Sequence, residues 1–392
     1  MSLEGVAQLE LFAVDLPLRK AFKHAAAERS HSESLFLRCV TRSGAVGFGE
    51  ALPRAYVTGE TRDAAFALLR EAVLPHLLDR SFDSLSEVEE FLARCDGRAP
   101  HSWVDPDAPQ SAAWCAVDLA LLDAFGRAFG ARPLEKEAAT LPGGFRYSGV
   151  VSADGGAYTA LGAAKQRLYG LRELKLKVSR QTTDEAIRWL VRLCGPGAAL
   201  RVDVNMGWTL PEALARIPVW SRQGIRCFEQ PLAADDIAGA SRLRAETDAC
   251  LMADESFTTR ESLERLIEQR ACSAVNARIS KCGGLIATLA RCREALQAGL
   301  DVQLGCQVGE SSLLSSAQLL LASTLPRVRA AEGCFGLHLL REDPGSPLLQ
   351  FGFAGRPPAR PAGAGLGVAL DEQTLARFAT RRTEVTCRSH RS

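Results

Sequence analysis

Two lysines one residue apart, Lys175 and Lys177, lie in the otherwise apolar run RELKLKVSR. If that run is a strand, alternation sends both lysines to one face and Leu174, Leu176 and Val178 to the other. Two adjacent ammonium groups favour the neutral form of one of them. Lys175 is therefore expected to lower the pKa of Lys177 and prepare it as a base. Three acids, Asp203, Glu229 and Asp254, close the next three β-rich runs, LRVDVN, IRCFEQ and CLMADES. Carboxylates with no histidine or thiolate beside them make a hard oxygen site, which suits Mg²⁺, with Mn²⁺ as the alternative, and does not suit zinc. Taken singly, each acid is an ordinary strand-end residue that caps a helix or pairs with an arginine. Three in register repel one another unless a cation neutralises them. Lys281 ends a later run, VNARISK; Asn205 and Glu255 stand beside Asp203 and Asp254 at the ends of their runs, and Gln307, Glu310 and Glu332 fall at or just past two further run ends.

The elements that must hold these residues recur at a fixed period. Short β-rich runs at 148–152, 173–179, 200–205, 225–230, 250–256, 275–281, 301–307 and 328–333 start about 25 residues apart, with helical patterns such as DEAIRWLVRLC between them. Eight such units predict a parallel sheet with crossover helices, closed as a (β/α)₈ TIM-like barrel; a doubly wound open sheet is the alternative. Active sites of such barrels form at the C-terminal strand ends, where the polar residues collect. Lys175 and Lys177 then sit on the second strand and Lys281 on the sixth, roughly opposite, with the acids of strands three to five between them. Before the barrel, VAQLELFAV, ESLFLRCVT and AVGFGEAL read as a small antiparallel sheet, followed by helical patterns over 61–78, 84–95 and 110–129. The expected organisation is an N-terminal α+β capping domain over 1–140, the barrel over 141–345, and a C-terminal segment, 346–392, packing back on the capping domain.

The 392 residues carry a net charge of +1 and 24% charged residues, which gives no bulk attraction to nucleic acid or an anionic membrane. No apolar run is long enough to span a bilayer. The 12 cysteines are scattered singly without a CxxC pair, and the N-terminus reads as strand rather than leader, so reduced thiols in a cytoplasmic protein are expected. The partner that remains is a small molecule held by local charge.

LKLKV, VDVN, FEQP, ADES and ISKCGG, in this order and spacing, resemble the enolase superfamily, specifically its muconate-lactonizing-enzyme (muconate cycloisomerase) subgroup with a Lys-x-Lys motif. The resemblance covers nearly the whole chain, including GFGEALPRAYVTGE in the capping part. It implies an isomerase that removes the proton α to a substrate carboxylate, with Mg²⁺ stabilising the enolate. In it, Asp203, Glu229 and Asp254 look like the metal ligands and Lys177 like the base. Lys175 would be its electrostatic neighbour, Lys281 the acid, base or cation on the other face, and Asn205 and Glu255 supporting residues. Family members are often homo-oligomers. The capping loops around FKHAAAERSH and PRAYVT, with Lys23, His24, Arg54 and Tyr56, are expected to read the distal part of the substrate. Gln307, Glu310 and Glu332 join them as substrate-binding candidates. The subgroup spans cycloisomerases, epimerases of dipeptides or N-acylamino acids, and o-succinylbenzoate synthase. Dipeptide epimerases usually carry Asp-x-Asp on the last strand, whereas this chain has AAEGCFG there, with Glu332 and Cys334. A cycloisomerase or a racemase/epimerase of an acid is the favoured expectation. A binding protein on an inactive enzyme fold is the alternative from another class.

Overall fold

The structure, a computed structural model, describes residues 3–24, 27–78, 80–154 and 156–386, with 21–24 and 27–29 described in backbone only. Alternating apolar residues of the first 50 positions form long antiparallel strands, Glu4–His24, Ala27–Thr41 and Val46–Ala51. The last described strand, Ala379–Thr386, pairs antiparallel with the first and seals its outer edge. Thus the last described strand is tied to the first.

One face of this sheet packs on the helix Ser111–Phe129, whose side chains from Ala112 to Gly126 are buried. Close approach is permitted by Gly47 and Gly49, where the helix backbone lies against the strand. A Cβ on Gly49 would meet Ala116 O at 1.8 Å. Backbone cannot swing aside like a long side chain, so Gly49→Ala is expected to destabilise the protein by about 2 kcal/mol or more. Urea unfolding followed by circular dichroism checks this.

Seven parallel strands follow, at Gly149–Ser152, Glu173–Lys177, Ala199–Asp203, Ile225–Glu229, Leu251–Ala253, Ala274–Ala277 and Asp301–Leu304, each hydrogen-bonded to the next. The expected eighth strand is reduced to bridges. Ala331 pairs with Leu304 on one side and Tyr147 on the other, which closes the ring. Outward residues such as Leu176, Val202, Phe228 and Val275 are fully covered by the surrounding helices. Several of those helices start at a side-chain cap just past a strand end: Thr183 accepts from Ala186 N, Asp236 from Gly239 N, and Thr209 forms a capping box with Glu212.

Buried acids lock the capping part to the barrel. Glu50 accepts from Ser311 N, Ser311 Oγ and Leu314 N at the start of helix Ser312–Thr324. Asp118 accepts from Leu285 N at the start of helix Leu285–Gln297. Both sit at helix N-termini, where partial positive charge collects. Burial nevertheless pushes the Glu50 carboxyl up to about 8 and that of Asp118 up to about 7.

Candidate active site

Strand register assembles the site. Ser152, Lys177, Asp203 and Glu229 are successive cross-strand partners, so one row at the C-terminal rim carries the second lysine and two of the acids. Inward parity places Lys175 and Arg201 one step below that row, also as direct partners. Asp254 follows strand five. Its backbone N–H donates to Gln230 Oε1 at 2.9 Å, and Ser256 N does the same at 3.1 Å. Gln230 holds this position with a left-handed backbone, φ 38°, a strain that only a well-determined surrounding sustains. Asn205, at φ 47°, turns the chain after strand three.

Lys281 departs from the expected placement on strand six. It lies four residues past Ala277, in a turn ended by Gly283 and Gly284. A Cβ on Gly283 would sit 2.2 Å from Gly97 O of the capping part. That close approach of two backbones fixes where Lys281 leaves the wall.

The rim is an alternating cage of charges. Lys175 Nζ lies 2.8 Å from Glu332 Oε2, 3.2 Å from Asp203 Oδ2 and 3.3 Å from Glu229 Oε1. Lys177 Nζ lies 3.2 Å from Asn205 Oδ1 and 3.5 Å from Asp203 Oδ2. Arg201 holds Glu229 at 2.8 Å and also pairs with Glu332. Lys281 Nζ contacts Asp254 Oδ1 at 2.9 Å and donates to Asp254 O at 2.6 Å and Asn276 O at 2.7 Å, while Arg278 pairs with the other Asp254 oxygen. Asn205 Nδ2 donates to Glu255 Oε1 at 3.3 Å, linking the Lys177 side to the Asp254–Glu255 loop.

A cavity of about 500 Å³ opens on this cage. Lys175, Lys177, Asp203, Asn205, Glu255, Arg278, Gln307, Glu332 and Tyr56 line its charged end; Tyr169, Phe335, His338 and Phe351 line an aromatic end. Glu229, Asp254 and Lys281 lie beneath this surface, fully buried. Two of the expected substrate-binding residues do not line the cavity. Arg54 is buried, and its guanidinium donates to the carbonyls of Glu33, Pro53 and Val308, which braces the loop. Glu310 accepts from Gln307 N at 2.6 Å and stays behind that residue; burial, with Glu50 nearby, pushes its carboxyl up to about 8. The side chains of Lys23 and His24 lie outside the described residues.

The electrostatics divide the two neighbouring lysines. Burial opposes charge on Lys175, but Glu229, Glu332 and Asp203 outweigh it and raise its pKa, so it is a fixed cation. Lys177 is lowered, first by burial, with Asp203 working against the shift and Lys175 adding to it. Lys175 thus acts in the expected direction, with a smaller contribution than desolvation. Lys281 is also lowered, chiefly by burial. Burial and the nearby Asp203 raise Glu255. For Asp203 the nearby Lys175 and Lys177 outweigh burial and hold it well below the usual carboxylate range.

Arg201, Arg278 and Asn276 are the members that the sequence reading did not single out. Their signal was parity: Arg201 stands two before Asp203, and Asn276 and Arg278 alternate inward toward Glu229 and Asp254. The donor chemistry fits a hard divalent cation, since Asp203, Glu229 and Asp254 offer oxygen alone and Asp203 Oδ2 is buried without a directed hydrogen bond. Among the described residues no three such side chains are already gathered as a closed ligand set. Lysine and arginine heads hold the acids instead.

A closed parallel barrel with charged strand ends under an α+β cap defines an α/β-barrel enzyme. A family model described as Enolase C-terminal domain-like matches residues 159–374, and one for the Mandelate racemase / muconate lactonizing enzyme N-terminal domain matches residues 7–135. The chain belongs to that family, and it is an isomerase of the enolase superfamily. It is 28% identical to an N-succinyl-L-Arg/Lys racemase of Bacillus cereus over 80% of this chain and 82% of the relative. The crystal structure of an N-succinyl Arg/Lys racemase from the same species superposes with a TM-score of 0.86 at 26% identity, covering 97% of this chain and 100% of that one. A chloromuconate cycloisomerase of Cupriavidus pinatubonensis is 26% identical over 93% of this chain and 96% of its own.

Proposed function

We propose that the protein racemises or epimerises an N-acylated amino acid by moving the proton α to its carboxylate. The observation that carries this reading is Glu332. It follows Ala331, where single bridges stand in for the eighth strand, and Lys175 and Arg201 already hold both of its oxygens. A substrate with a free ammonium group would have to compete with two buried cations for that charge; an amide-blocked nitrogen makes no such demand. Similarity to an N-succinyl-L-Arg/Lys racemase points the same way.

In this reading Asp203, Glu229 and Asp254 hold Mg²⁺, or Mn²⁺ in its place, which when bound offsets charge developing on the substrate carboxylate. Lys177 takes the α-proton from one face. Burial suits it to that task by favouring the neutral amine. Lys281 delivers a proton to the opposite face. Lys175 remains charged and stabilises negative charge near Lys177. Asn205 orients Lys177 through its 3.2 Å contact. The aromatic end of the cavity receives the distal group.

A second reading, cycloisomerisation of a dicarboxylate, draws on the likeness to the chloromuconate cycloisomerase over 93% of the chain. One experiment separates them. N-succinyl and N-acetyl amino acids, free dipeptides and muconate are each incubated with the protein and Mg²⁺ in D₂O. Loss of the α-hydrogen signal with loss of optical rotation is expected for the N-acyl acids. A lactone formed from muconate, with no α-exchange in any amino acid derivative, would establish the second reading instead.

Metal dependence has its own readout. At a hundredfold excess over its Kd, Mg²⁺ is expected to stabilise the fold by about 2.7 kcal/mol. Asp203→Asn should abolish that stabilisation in thermal melts. Unchanged melting with and without Mg²⁺ would count against the ligand set.

A further inference from the structure

At the opposite mouth of the barrel, Cys227 on strand four and Cys250 just before strand five bring their Sγ atoms to 3.3 Å. The pairing of Phe228 with Leu251, and the 2.9 Å bond from Phe228 N to Cys250 O, set the two residues side by side on adjacent strands. Neighbouring strands run about 4.8 Å apart, within the Cα separation that a disulfide tolerates. Cys227 is buried against Met252 and Ala274, whereas Cys250 is only partly buried and offers the way in. The two thiols hydrogen-bond to each other, and the Arg329 guanidinium also favours a thiolate at Cys250. Nothing in the isomerase reaction uses this pair.

We propose that Cys227 and Cys250 are an oxidisable dithiol that a peroxide closes to an intrachain disulfide. The Cys250 thiolate attacks one oxygen of the peroxide; the O–O bond breaks, hydroxide leaves and the sulfur becomes a sulfenic acid. The Cys227 sulfur then attacks Cys250 Sγ, the S–O bond breaks, and water departs with the Cys227 proton. Two thiols and one hydrogen peroxide give one disulfide and two waters. The bridge ties strands four and five below the row of acids and restricts the unfolded chain more than the folded one. It acts as a lock on the barrel wall, at the end away from the catalytic rim.

The test uses the whole reduced protein under native conditions. Hydrogen peroxide is added in near-stoichiometric amounts, remaining thiols are alkylated, and the protein is digested without reductant for mass spectrometry. The expected product is the Cys227 peptide joined to the Cys250 peptide, lighter by two hydrogen atoms than the sum and released by dithiothreitol. The thermal midpoint should rise by about 2 °C before reduction and fall back after it. Cys250→Ser should yield neither product nor shift. Recovery of Cys250 as sulfinic or sulfonic acid, with Cys227 still alkylatable after unfolding, would overturn the proposal. So would peroxide-treated protein whose linked peptides join other cysteines instead. If the serine variant does not fold, the linkage map of the wild-type protein decides alone.

Discussion

Lys177→Ala should lower racemisation by about 10³-fold, within the range a positioned general base contributes, and should do so asymmetrically. An α-proton is removed from the face that a neutral amine can reach, and each of the two proposed amines serves one face. The enantiomer whose hydrogen points to Lys177 should therefore lose exchange with D₂O almost completely. Its mirror image should still exchange through Lys281 while being trapped without inversion. Lys281→Ala should give the reciprocal pattern. The two enantiomers, each followed by proton NMR in D₂O with each variant, provide the measurement. Equal loss of exchange from both enantiomers in both variants would mean that the lysines act as one structural unit, not as opposed acid and base.

The largest effect on stability is expected at Glu332. Its carboxylate meets Lys175 at 2.8 Å and pairs with Arg201, and all three side chains are buried. Attraction inside such a pair does little more than offset the cost of taking the charges out of water, but removing one partner strands the others. Glu332→Ala is thus expected to cost about 3–5 kcal/mol by urea unfolding. Glu332→Gln, which keeps the shape and an acceptor, should cost less. The double variant Arg201→Met/Glu332→Leu should recover part of the loss, because one stranded cation leaves with the acid. A single alanine variant as stable as the parent would show that water, not Glu332, already satisfies Lys175 and Arg201.

Much of the barrel was readable because its physics is local and repeated. Strands of β-rich residues and amphipathic helices recur at a steady spacing, and each polar strand end announces which rim is the working one. Lys175 and Lys177 emerged from alternation and Asp203 from its place at a run end, and the register observed for strands two to four puts Lys177, Asp203 and Glu229 side by side. The eighth strand was the weakest prediction. Around Ala331 the pairing shrinks to single bridges, since Gly333 and the turn beyond it end the extended run.

What the sequence hid is longer in range. Arg54 lies on a loop that reads as exposed, yet three carbonyls from separate segments surround its guanidinium. Glu310 looked like a substrate contact, yet it folds back on Gln307. Arg201 and Arg278 were passed over because an arginine in a β-rich run resembles an ordinary solvated side chain. Only the closed ring shows that both point inward at acids. Their presence alters how the acids must be understood: each proposed ligand already has a cationic partner, with which a metal must share or compete for the carboxylate.

Crystals soaked in Mn²⁺ and measured at its absorption edge would address that point most directly. One anomalous peak is expected at bonding distance from an oxygen of each of Asp203, Glu229 and Asp254, with the Lys281 and Arg278 heads withdrawn from Asp254. A fully loaded crystal whose peak lies elsewhere, with those two cations still seated on Asp254, would contradict the account.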